Sequence, residues 1–102
     1  MRREIFFSWK AEEDLAGVHG HISAINCDRA DRFLHDIEQR CQSLVDFPLL
    51  GRARSDLGPG YRVLFFARRV VIVYRVIEER VEILRVFYGG RDYEKVVKGG
   101  SR

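Results

Sequence analysis

Three runs of β-branched and aromatic residues, Tyr61 to Phe66, Val70 to Val76 and Val81 to Phe87, follow one another with only short polar gaps between them. Arg68-Arg69 and Glu78-Glu79 mark the gaps, which are far too short for a parallel crossover, so the runs predict an antiparallel three-strand meander. The central run, Val70-Val71-Ile72-Val73, is apolar at every position, as an inner strand covered on both faces requires. A helical hairpin from the N-terminal half is expected to pack on one face of this sheet.

That half reads as a short strand and two helices. Arg3 to Phe7 favours a strand, and Ser8 is placed to cap a helix whose apolar stripe is Ala11, Leu15, Val18, Ile22 and Ile25. Glu12, Glu13 and Asp14 lie in its first turn, where the helix dipole favours anions. Gly17 and Gly20 weaken the helix without ending it. Asn26-Cys27-Asp28 breaks the pattern, with Asp28 as the expected next cap, and Ala30, Phe33, Leu34, Ile37, Cys41, Leu44 and Val45 form a second stripe. Pro48 stops that helix at or before Phe47. A loop rich in glycine and arginine is expected from Leu49 to Gly60, and Gly89-Gly90 closes the last strand. Tyr93 to Val97 can make one short helical turn, before a disordered tail at 99–102. The expected fold is therefore α+β, a single domain over 1–98: strand, helical hairpin, meander with the helices on one sheet face, and a short C-terminal turn.

With 102 residues, 46% of them apolar, the chain can bury about two thirds of its unfolded surface in a single core. No run approaches the ~18 apolar residues of a membrane helix. The N-terminus carries no secretory pattern, and Cys27 and Cys41 read as reduced thiols of a cytoplasmic protein, the first in a loop and the second in the core. Charge is divided unevenly: residues 1–50 hold six Lys/Arg against nine Asp/Glu, a net −3, and residues 51–102 hold twelve against six, a net +6. The basic half points to an acidic partner, nucleic acid or an acidic protein segment, or to a solvated basic face. His19 and His21 are two apart, which puts them on different faces of a helix, so no metal is expected. No phosphate loop is present, because Gly58-Pro59-Gly60 precedes a strand, and no cofactor is expected. Trp9 is expected to pack the first helix against the sheet.

Four short motifs in this order resemble the RelE/ParE toxin family, in its ParE-like branch. They are Ala11-x-x-Asp14-Leu15; Phe47-Pro48-x-x-Gly51-Arg52-x-Arg54-x-x-Leu57-Gly58-x-Gly60-Tyr61-Arg62; Val73-Tyr74-Arg75-Val76; and Arg85-Val86-Phe87-Tyr88-Gly89-Gly90-Arg91-Asp92. Singly they are weak, but together, on the right elements and over nearly the whole chain, they are specific. The resemblance implies the toxin of a type II toxin–antitoxin pair, bound and neutralised by a small ParD-like antitoxin in a hetero-oligomer. ParE-like members poison DNA gyrase, whereas RelE-like members are metal-independent ribonucleases that cut messenger RNA on the ribosome.

Metal-free RNA cleavage requires a base for the 2′-hydroxyl, an acid for the leaving oxygen and cations on the phosphorane. Arg62, Arg85 and Arg91 could supply the cations, but no histidine follows His35, and an unassisted tyrosine is a poor base near neutral pH. Aligned with the ribonucleases, their strand arginine falls on Val71 and their C-terminal catalytic tyrosine near Val97, so only Arg91 matches. Gyrase inhibition by binding is the better fit. Cleavage through Arg62, Arg85, Tyr88 and Arg91 is the alternative, and an inactive antitoxin-binding relic is a third.

The candidate target-binding residues are Arg62, Arg85, Tyr88 and Arg91. Arg62 either contacts the target or simply alternates with buried Tyr61 and Val63. Arg85 interrupts an apolar run, so it either bridges to a carboxylate or lines the ligand surface. Tyr88 sits where a strand end meets a turn, a usual place for a working side chain. Arg91 either binds or pairs with Asp92. The antitoxin is expected to be an acidic, apolar segment covering strand edges and grooves.

Overall fold

The computed structural model describes residues 4–89 and 93–99. In chain order these form β1 (Glu4–Phe7), α1 (Trp9–Ser23), α2 (Cys27–Gln42) with a 3-10 turn at Ser43–Val45, β2 (Arg52–Ala53), β3 (Tyr61–Phe66), β4 (Val70–Ile77), β5 (Arg80–Tyr88) and α3 (Tyr93–Gly99). The sheet runs β1-β5-β4-β3-β2, with β1 parallel to β5 and every other pair antiparallel. The meander and its central strand are as the sequence predicts. β2 is an addition: within the expected loop, Arg52 and Ala53 pair with Val63 and Arg62 to form a short edge.

The alternation of β4 divides the core between the two sheet faces. Val70, Ile72 and Tyr74 face the hairpin and meet Leu15, Val18, Ile37 and Leu44, while Val71 and Val73 face the other way and meet Leu57 and Phe87. Tyr74, Phe87, Ile37 and Leu44 are the largest fully buried side chains, and burying each such side chain stabilises the fold by roughly 1.5–3 kcal/mol. The second face is covered by α3, whose Tyr93, Val96 and Val97 pack on it, so the helices do not all lie on one side. α3, at Tyr93–Gly99, is also longer than the single turn expected.

Three local expectations are corrected. Trp9 is 65% exposed: it stands two residues before buried Ala11, about 200° around the helix and therefore on its outer side. Ile25 is 83% exposed, because α1 ends at Ser23 and the helical period ends with it. The cap of α2 is Asn26, not Asp28; its side-chain oxygen accepts the Arg29 N–H at 2.9 Å. Ser8 caps α1 as expected, accepting the Ala11 N–H at 3.0 Å, and its hydroxyl donates to the Leu84 carbonyl at 2.7 Å. One side chain thus joins the start of the helix to β5.

Candidate binding surface

Where Ser8 reaches β5, the strand carries an extra residue. Val73 pairs with Arg85 and Tyr74 with Ile83, so Leu84 has no partner and forms a bulge. β1 stops pairing at Ile83, and among the described residues no strand continues along that edge of β5 from Val86 to Tyr88. α1 lies beside this open edge instead, and Asp14 serves it. The Asp14 carboxylate accepts Arg85 Nε at 2.8 Å, Arg85 Nη2 at 2.9 Å and the Val86 backbone N–H at 2.9 Å. This forked pairing raises the Arg85 pKa above its ordinary value, led by the hydrogen bonds it donates to Asp14. The guanidinium also lies 4.8 Å from the centre of the Phe87 ring. Of the two readings of Arg85, the geometry contains the carboxylate bridge.

Between α1 and the β5 edge runs a groove of about 830 Å³, lined by Glu13, Gly17, Val18, His21, Val86 and Tyr88. Gly17 has no neighbour within 4 Å of where a Cβ would stand, so its absent side chain keeps the groove wide. Tyr88 closes one end, with its ring 5.9 Å from His21 and 5.8 Å from Phe33. It faces the hairpin side of the sheet.

Arg62 lies elsewhere, on β3 opposite Tyr74. Its Nη1 donates to the Gly51 carbonyl at 2.6 Å, and the Tyr74 hydroxyl accepts the Gly51 N–H at 2.8 Å and donates to the Pro48 carbonyl at 2.8 Å. A Cβ on Gly51 would stand 2.6 Å from the Tyr74 ring, which explains why glycine occupies this position. Gly58 is crowded in the same way by Tyr61, at 2.7 Å. The motif from Phe47 to Arg62 is therefore first a device that ties a loop to the sheet. The tie leaves Phe47, Leu49 and Leu50 exposed beside β2. Burial pushes the Tyr74 hydroxyl above its ordinary pKa, which disfavours it further as a proton acceptor.

Sequence reasoning did not find the residue that fixes the C-terminal helix. Arg54 binds both carboxylate oxygens of Asp56 at 2.9 Å, Glu94 at 2.5 Å and the Tyr93 hydroxyl at 3.2 Å, and Lys98 stands 3.8 Å from Asp56. Its hydrogen bond from Arg54 holds the Asp56 carboxyl down to about 2. The signal was present as the arginine of the Gly51-Arg52-x-Arg54 motif, but its partners lie 39 and 40 residues away in sequence. Arg62, Arg85 and Tyr88 are thus not brought to one point, and Arg91 lies outside the described residues.

The strand, helical hairpin and meander define a small toxin fold of the RelE/ParE type. Two solved structures share it. The chromosomal ParDE toxin–antitoxin system from P. aeruginosa superposes with a TM-score of 0.73 at 24% identity, covering 86% of this chain and 97% of that one. The toxin–antitoxin complex RelBE2 from Mycobacterium tuberculosis gives 0.66 at 22% identity, covering 86% and 99%. Toxin ParE3 of Caulobacter vibrioides is 45% identical over 56 residues, and the match spans 55% of the length of each chain. The family model described as the ParE toxin of the type II toxin-antitoxin system parDE matches residues 5–93, and the chain belongs to that family.

Proposed function

We propose that this chain is a cytoplasmic toxin that arrests growth by inhibiting DNA gyrase, and that a cognate ParD-like antitoxin neutralises it in a hetero-oligomer. The observation carrying the choice of binding over cleavage is the separation of Arg62, Arg85 and Tyr88. Arg62 is committed to the Gly51 carbonyl, Arg85 to Asp14, and Tyr88 to an aromatic cluster on the hairpin face. A metal-free ribonuclease needs its acid, base and cations converging on one phosphate. Membership of the ParE family supports the same choice.

The antitoxin reading rests on two surfaces that an acidic, apolar segment fits. One is the groove beside the open stretch of β5, where an extended segment can add to the sheet; the other is the exposed Phe47, Leu49 and Leu50 beside the β2 edge. The basic half of the chain steers such a segment toward both. No helix among the described residues is long and apolar enough to cross a membrane.

The test is gyrase-dependent plasmid cleavage with protein purified free of antitoxin. Linear DNA that requires gyrase and ATP, and disappears when antitoxin is added, is the expected result. Shortened messenger RNA without any DNA effect would replace the proposal with the ribonuclease reading; antitoxin binding with neither effect would mark a relic.

A further inference from the structure

Beyond Tyr88, the β3–β4 turn and the first turn of α2 bring together three arginines that have no carboxylate partner among the described residues. A recess of about 440 Å³ is lined by Arg29, Arg69, His21, Phe33 and Tyr88, and an adjoining one of about 360 Å³ by Arg68, Arg69, Phe65 and Tyr88. Arg69 and Tyr88 belong to both, so the two form one track around the end of the sheet. Arg29, Arg68 and Arg69 are exposed, and no carboxylate pairs with any of them among the described residues. Arg54, Arg75 and Arg85, by contrast, are each hydrogen-bonded to an acidic side chain. The turn that presents the pair has Ala67 and Arg68 at positive φ, 53° and 63°, as tight hairpin turns require.

We infer that this track binds the phosphodiester backbone of a nucleic acid, with Arg29, Arg68 and Arg69 on phosphates and the exposed rings of His21 and Phe65 against bases. A guanidinium presents a planar fork that matches two phosphate oxygens. Aromatic faces interleaved with such forks are the usual platform for unpaired bases. Charge alone would equally suit an acidic peptide; the ring faces spaced among the arginines favour a nucleic acid. Glu13, in the groove on the other side of Tyr88, repels phosphate and bounds the track on that side. The surface is separate from Arg62 and Arg85, and the inference does not depend on gyrase being the target.

The experiment measures binding of short labelled oligonucleotides to the full chain by fluorescence anisotropy over a range of salt. Single-stranded DNA, duplex DNA and single-stranded RNA are compared, together with a polyglutamate peptide. Three phosphate contacts give a slope of log K against log salt of roughly −2 to −3, and the Arg68→Gln/Arg69→Gln variant should lose about two thirds of it. Arg52→Gln/Arg80→Gln removes the same charge from the opposite regions of the sheet and should leave the slope unchanged. Arg29→Gln, on a different element, should lose about one third, which guards against a turn variant that fails to fold. The tightest of the three oligonucleotides identifies the source of the phosphodiester. Equal slopes for the patch and control variants would overturn the inference, as would binding of polyglutamate in preference to every oligonucleotide.

Discussion

Replacing Asp14 by Ala should be among the most damaging single changes in the hairpin, although it removes only one small side chain. The carboxylate is 10% exposed and its partner guanidinium 19%. Removing it strands a largely buried cation and an edge N–H from Val86 that no strand satisfies. Breaking a buried pair in this way costs about 3–5 kcal/mol, and an orphaned donor costs about 1–3 kcal/mol, with residual exposure of Arg85 favouring the low end of the total. A loss of about 4 kcal/mol in a chain of this size lowers Tm by roughly 16–32 °C. Arg85→Ala should cost less, about 2 kcal/mol, because Asp14 keeps the Val86 N–H. The double variant should cost about as much as Asp14→Ala alone, so a thermal or urea double-mutant cycle should show a coupling of about 2 kcal/mol. If the two single losses simply add, or if Asp14→Ala shifts Tm by less than about 2 °C, the bridge does not hold the edge as argued.

Two further predictions concern the loop and the C-terminal helix. Gly51→Ala drives a methyl group into the buried Tyr74 ring and should cost about 1–3 kcal/mol; Tyr74→Phe, which orphans the Gly51 N–H and the Pro48 carbonyl, should cost a similar amount, both read by chemical denaturation. The folded-state pKa of Asp56, about 2, lies below its ordinary value of 3.8, so its contribution to docking α3 is complete above about pH 4 and is lost as pH falls toward 2. Near-ultraviolet circular dichroism of Tyr93 should follow that loss, and Asp56→Asn should abolish the pH step while leaving the rest of the fold intact.

The inner strand was legible because Val70 to Val73 is apolar at every position, a pattern that only two-sided burial explains. Ser8 was legible because capping is local: the hydroxyl and the N–H it accepts are three residues apart. Asn26 was missed in favour of Asp28 because both residue types cap helices and only the path of the chain decides which stands at the boundary. Trp9 was misplaced because its size suggested burial, whereas its angle to Ala11 sends it outward.

For the candidate surface, the residue types were legible and their employment was not. Periodicity, turn chemistry and charge are written along the chain, and they specify the α+β layout, the family motifs and the concentration of arginine in the second half. A linear reading does not separate a paired arginine from an unpaired one, because pairing depends on partners 71 residues away for Arg85 and 40 for Arg54. Tertiary structure made the assignment. It spent Arg54, Arg62 and Arg85 on Glu94, Gly51 and Asp14, and left Arg29, Arg68 and Arg69 beside Tyr88 facing solvent. A guanidinium takes whichever acceptor folding brings within reach, and the fold alone fixes which acceptors those are.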